Sequence, residues 1–298
     1  MSQAQVASKP SGEGLEVSLY SKILELQERH GLSELAISYY DYETTVQWAY
    51  NGDAPFHAAS TMKIAVMAAV FRQASRGSFE IDDTLHVRNR FESIVDGSVF
   101  RLSVNPKSDS VAASIGKALT IRELMHHMIT TSSNLATNLL VQLVGIPTIA
   151  KTLEELNVDG VSVLRGVQDE AAFEAGLNNE TTSNGLVSLL RSITEKRAFS
   201  VEASEQMLEI LHDQKYRSGI PAGLPEEARV AHKTGNISTV HHDAGIVFFT
   251  NRKPYVLAVL TQFPPGKKSS GAVAEITARI HSFLGELSNE RRSDDTDD

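Results

Sequence analysis

The chain of 298 residues contains no cysteine, which excludes disulfides and thiol catalysis. It has no basic excess either: 28 Lys and Arg stand against 37 Asp and Glu, a net charge of −9. Without a basic face to neutralise phosphates, nucleic acid is not an expected partner. Long apolar runs are missing too. The longest, such as Ile64 to Phe71 and Gly245 to Phe249, fall far short of the ~20 residues that span a bilayer, so no membrane span is expected. Met1 to Pro10 lacks the apolar centre of a signal peptide. As it stands the chain reads as cytoplasmic, or as periplasmic or secreted if a signal was removed. No internal repeat is visible.

The ten histidines carry no H-E-x-x-H or H-x-x-E-H spacing. His241 and His242 are neighbours on an expected strand, so they point to opposite faces and cannot chelate as a pair. His126-His127 reads as mid-helix and half exposed, and His232 as a strand histidine beside Lys233. No metal and no cofactor are expected.

What is present is ordinary for a globular protein, with 41% hydrophobic and 22% charged residues. Helical spacing runs from Leu15 to His30 and stops at Gly31. Leu35 to Tyr40 and Thr44 to Tyr50 form a hairpin signal across Asp41-Tyr42-Glu43. Thr61 to Arg72, rich in Ala and Met, suits a buried helix. Ile121 to Ile129, capped by Thr120, and Asn134 to Val144 follow as helices. Phe91 to Lys117 reads as surface loop, and Leu164 to Glu180 as a second irregular stretch before a helix from Thr182 to Ile193. After Met207 to His212 come three strands, Arg229 to Lys233, Asp243 to Thr250 and Tyr255 to Gln262. A last amphipathic helix covers Ala272 to Leu287.

This order predicts an α+β protein. One five-stranded antiparallel sheet is flanked by helices in three layers, α/β/α, beside an all-α lobe. Residues 15–288 form the catalytic unit, with 15–58 and 195–288 in the sheet lobe and 59–194 in the helical one. Residues 1–14 read as a disordered segment and 289–298 as a solvated acidic tail. The chain is expected to be a monomer acting on a small molecule in the cleft between lobes.

Three motifs carry the chemistry. Ser60-Thr61-Met62-Lys63 opens the buried helix, and positions three apart share a helix face. A serine hydroxyl needs a neighbouring base, and a lysine serves if burial and nearby positive charge lower its pKa. Free N–H groups at the helix start can stabilise an oxyanion. Ser132-Ser133-Asn134 follows about 70 residues later, in the pattern of a helix cap. Lys233-Thr234-Gly235 lies on a strand, where Lys and Thr suit a substrate carboxylate and Gly a close backbone approach.

Together, in this order and context, these motifs resemble those of the class A β-lactamase-related serine hydrolases, the penicillin-recognising S-x-x-K family. The resemblance extends from about Leu15 to Leu287 and includes Ile121-Arg122-Glu123-Leu124, Asn138-Leu139-Leu140 and Thr181-Thr182. It implies a β-lactamase/transpeptidase-like fold and a covalent acyl-enzyme. Ser60 would be acylated, Lys63 would accept its proton, and Ser132 would relay a proton to the leaving nitrogen. Asn134 would hydrogen-bond the substrate amide, and Lys233 and Thr234 would hold its carboxylate. Backbone N–H groups of Ser60 and Asn236 would form the oxyanion hole.

Two positions depart from the pattern. Ser133 stands where class A enzymes have Asp. Matching Arg165 to the family's loop arginine puts Val167 at the position of the deacylation glutamate and Ala171 at that of an asparagine. Asp169, Glu170 and Glu174 are the candidate substitutes, with Glu170 closest to the expected place among the glutamates. The expected substrate is a β-lactam, with an acyl ester or peptide (a D-Ala-D-Ala peptidase or esterase) and a non-turnover penicillin sensor as alternatives.

Overall fold

The structure, a computed structural model, describes residues 12–107, 109–196, 199–267, 269 and 271–294. Its main sheet has five antiparallel strands: β1 (Glu34–Asp41), β2 (Gln47–Tyr50), β3 (Arg229–Asn236), β4 (His241–Phe248) and β5 (Tyr255–Gln262). Their spatial order is β3-β4-β5-β1-β2. Among the described residues the α-helices are α1 (Gly12–Arg29), α2 (Lys63–Ser75), α3 (Ile121–Thr130), α4 (Asn134–Val144), α5 (Ile146–Glu155), α6 (Glu170–Glu174), α7 (Ser183–Thr194), α8 (Val201–His212) and α9 (Ala272–Asp294). No helix among them is long and apolar enough to cross a membrane.

Strand β5 is buried over seven of its eight residues because both faces of the sheet are covered. Tyr255, Leu257 and Val259 turn towards α1 and α9, while Val256, Ala258 and Leu260 join the core shared with the helical block. The second face is lined by small side chains, Ala36, Ala231, Ala244 and Ala258, which lets helices approach closely. These layers match the α/β/α expectation.

Several boundaries differ from the sequence reading. The buried helix does not begin at Thr61. A 3₁₀ turn, Ala59–Met62, leads into α2 at Lys63. Strand β3 extends past Lys233 to Asn236, so the whole Lys-Thr-Gly motif is paired. Helix α5 was not foreseen. Its start, Gly145-Ile146-Pro147, has proline in the first turn, where the missing N–H leaves no bond unmade. Helix α7 packs against β1 and β5 of the central sheet, so the lobe boundary at 194/195 falls after a helix that belongs with the sheet. Helix α1 starts at Gly12 and α9 continues to Asp294. Residues 12–14 and 289–294 are therefore helical, and 1–11 and 295–298 lie outside the described residues.

The stretch Phe91 to Lys117, read as surface loop, holds a short hairpin (Phe91–Glu92 with Val99–Phe100) and a buried carboxylate. Asp109 accepts hydrogen bonds from Ser133 Oγ at 2.6 Å, Leu135 N at 3.0 Å and Val111 N at 3.0 Å. Ser133 in turn caps α4 by accepting from Ala136 N at 3.0 Å. The acidic group absent from position 133 is thus supplied from the loop, at the N-terminus of α4, where negative charge is favoured.

Asp109→Ser should lower the unfolding free energy by about 2–4 kcal/mol, because three buried donors lose their acceptor. Adding Ser133→Asp should recover most of that loss, whereas Ser133→Asp alone should destabilise by crowding two carboxylates. A double-mutant cycle by urea denaturation tests this; additive effects would show that the two positions do not share one electrostatic role.

Candidate active site

A wholly buried helix sets the electrostatics. Lys63 through Phe71 have no exposed side chain, so the first residue of α2 has no route to solvent. Ser60 lies in the preceding 3₁₀ turn, three residues before Lys63, and among the described residues it is not a hydrogen-bond partner of the Lys63 amine. The Lys63 amine contacts Ser132 O at 2.8 Å, Ser132 Oγ at 3.1 Å and Asn134 Oδ1 at 2.9 Å. Burial, and then the nearby charge of Lys233, hold its pKa far below that of an ordinary lysine, with Asp109 opposing. In its neutral form the amine has a lone pair, to which Ser132 Oγ–H can donate.

The three motifs therefore converge. Ser132 Oγ lies between two amines, 3.1 Å from Lys63 and 3.2 Å from Lys233. Lys233 also donates to Thr234 O at 2.8 Å. Its pKa is pushed down to about 7 by burial, against the attraction of Asp243. Ser132 has φ of +58°, a left-handed conformation rare for a residue with a side chain. It projects the hydroxyl towards both lysines from the turn between α3 and α4.

Gly235 has a steric reason to be glycine. A Cβ there would meet Thr61 Cγ2 at 3.0 Å and Ala58 O and Ala59 Cβ at 3.3 Å. Its absence lets β3 lie against the turn that carries Ser60, so Asn236 and Ser60 line the same two cavities. The first, about 380 Å³, is walled by the irregular stretch, with Arg165, Val167 and Glu170 among its lining residues. The second, about 370 Å³, is lined by Ser132, Asn134, Thr234 and Tyr216 among others. Ser60 is half-buried between them. Its Oγ and backbone N–H have no hydrogen-bond partner among the described residues.

The stretch from Leu164 to Glu180 is closed at its neck by Asn179. Its Oδ1 accepts from Leu164 N at 2.8 Å and Arg165 N at 3.1 Å, and its Nδ2 donates to Arg165 O. Asn179 O accepts from Ala58 N at 2.8 Å, which ties the loop to the Ser60 turn. The Arg165 guanidinium donates to Leu177 O and Gly166 O. Asn138 clasps the main chain of Val167 in both directions, accepting from Val167 N at 2.7 Å and donating to Val167 O at 2.9 Å.

The three acidic candidates differ in placement, and two of them, Asp169 and Glu170, line the cavity that also holds Ser60. The Asp169 carboxylate caps α6 and accepts from Ala172 N, Ser93 Oγ and Ile94 N, so it is committed to structure. Glu170 lines the first cavity from the exposed start of α6. Glu174 is exposed and does not line it. Ala171, at the family's asparagine position, has no side-chain polar group to hold a water.

Sequence reasoning missed Asp109 and also His57, which lines the first cavity. Neither belongs to a motif. His232 is buried and paired through Nδ1 with Asp243 at 2.9 Å, next to Lys233 in sequence but on the opposite face of β3.

Comparison with known proteins agrees with this architecture. A β-lactamase of Bacteroides uniformis is 25% identical over 79% of this chain and 81% of its own. One of Bacillus licheniformis is 27% identical over 86% and 80%. Among solved structures, PBP-A carrying a leucine-to-glutamate substitution, in acyl-enzyme complex with penicillin G, superposes with a TM-score of 0.76. It is 22% identical, over 91% of this chain and 97% of that one. A β-lactamase from Chitinophaga pinensis gives 0.77 at 20% identity, over 91% and 99%. The model of the beta-lactamase enzyme family matches residues 18–284, nearly all that the structure describes, and this chain belongs to that family.

Proposed function

We propose that this chain opens β-lactams through an acyl-enzyme on Ser60 and releases the acyl group slowly. The observation that carries this reading is the buried Lys63 amine, in contact with Ser132 and Asn134, its pKa lowered chiefly by burial. Lys63 accepts the Ser60 proton as Oγ bonds to the lactam carbonyl carbon. The developing oxyanion meets the N–H groups of Ser60 and Asn236. As the C–N bond breaks, Ser132 Oγ–H protonates the nitrogen and regains a proton from Lys63. Lys233 and Thr234 hold the carboxylate, and Asn134 the acyl amide.

Release requires a water activated by a base within about 3 Å. The carboxylate in the cavity lining that is not committed to a helix cap is that of Glu170, on the exposed start of α6. At the position matching the family's glutamate the cavity is lined by Val167, held by Asn138, and a valine takes no proton. The same observation favours a second reading, a peptidase or esterase on this scaffold for which penicillin is a long-lived acylating agent. Relative turnover of nitrocefin and short acyl esters separates the two.

Intact mass after mixing with a penicillin should show one adduct, mapped to Ser60 by digestion and absent from Ser60→Ala. A burst of one equivalent should precede a slow steady state. Val167→Glu should raise the deacylation rate at least about tenfold, within the range of a positioned general base, and change acylation only a few-fold. A wild type that turns over penicillins rapidly without a burst would refute the slow step.

A second expectation concerns Lys233. Lysine is charged below its pKa, so a cationic clamp that titrates at about 7 weakens as pH rises through that value. kcat/KM for a penicillin should fall there, and that for a neutral ester should not. Lys233→Ala should lower the penicillin value about 10- to 150-fold, matching the loss of a charge-assisted hydrogen bond, with little effect on the ester. Equal losses for both substrates would assign Lys233 another task.

A further inference from the structure

We propose that His57 is a positioning residue for the oxyanion hole, holding Ala59 in the left-handed conformation that presents the Ser60 N–H to the substrate. This rests on the reading of Ser60 as nucleophile. Ala59 has φ of +46°, a region that L side chains rarely adopt. Its flanks are clamped by the main chain: Ala58 N donates to Asn179 O at 2.8 Å, and Thr61 N to Ala58 O at 3.0 Å. Between these clamps, Ala59 N donates to a side chain, His57 Nδ1, at 3.0 Å. The next amide along, that of Ser60, is the one the oxyanion needs.

An amide N–H can only donate, so His57 Nδ1 accepts, and the neutral ring carries its proton on Nε2. Burial, and then Arg165, lower the imidazole pKa, with Glu180 among the opposing influences; this keeps Nδ1 free to accept. The same tautomer removes His57 from the candidates for a deacylation base, because Nε2 is already protonated. The main chain of His57 is fixed as well. Its carbonyl accepts from His242 Nε2 at 3.1 Å, and His242 Nδ1 accepts from Thr261 N at 3.1 Å. Two imidazoles in series thus connect β5 in the sheet to the residue before the nucleophile.

The test measures Ser60 labelling over time by a fluorophosphonate, which needs the oxyanion hole but no β-lactam recognition, and in parallel by a fluorescent penicillin. His57→Leu should slow the maximal labelling rate at least about tenfold, with the half-saturating probe concentration unchanged within about twofold. His57→Asn should stay within about threefold of wild type, because Asn Oδ1 can accept the N–H two residues on. Ala59→Gly added to His57→Leu should restore at least about threefold, since glycine adopts positive φ without strain. If His57→Leu does not fold, as judged by circular dichroism, His57→Phe replaces it under the same criteria. Labelling at the wild-type rate without the acceptor would overturn the proposal. So would an Asn variant as slow as the Leu variant, or a double variant no faster. Absent penicillin labelling of the wild type, with fluorophosphonate labelling intact, would count against the proposed substrate and leave this measurement standing.

Discussion

Desolvation of one amine organises this molecule. Lys63 begins a helix with no exposed face over its first nine residues, so its ammonium form is disfavoured by solvation before any partner is considered. The second lysine, Lys233, adds repulsion from across the site. Two buried lysines near one hydroxyl disfavour the doubly charged state. Each has one carboxylate opposing the effect of burial, Asp243 for Lys233 and Asp109 for Lys63, but only Lys63 also feels the charge of the other lysine among its main influences.

Around that amine the remaining parts act as supports. Ser132 reaches both lysines only from a left-handed backbone, Ala59 is left-handed beside Ser60, and Gly235 makes room for strand and turn to touch. Non-ideal backbone thus gathers where chemistry is placed, held there by better-packed elements on either side. The neck of the Arg165–Asn179 stretch bonds to Ala58, so the wall of one cavity and the nucleophile's turn share a fixed point.

The fold was legible wherever a local signal was strong. Periodicity located the terminal helices, the first hairpin and the last three strands, because their apolar faces are set by a single core. The site residues of the three motifs were legible through spacing. Asp109 was not, since it acts on Ser133 from a stretch whose Ser, Asp and Gly content resembles any solvated loop, and only tertiary folding buries it. His57 was hidden for a similar reason: its partner is a backbone N–H two residues away, and nothing in the sequence marks Ala59 as left-handed. The acidic candidates after Arg165 were indistinguishable in sequence. Their difference lies in a helix cap, where Asp169 is used, and in exposure.

The core beneath the cleft is continuous. Ala231, Ala244 and Ala258 of the sheet belong to the same buried cluster as Met67, Leu139 and Leu190 of the helices. The two lobes are therefore not modules joined by a hinge. Prying them apart would expose interior surface on both sides at once. The sheet lobe keeps a second core of its own under α1 and α9, whereas the helical block has its interior only in common with the sheet.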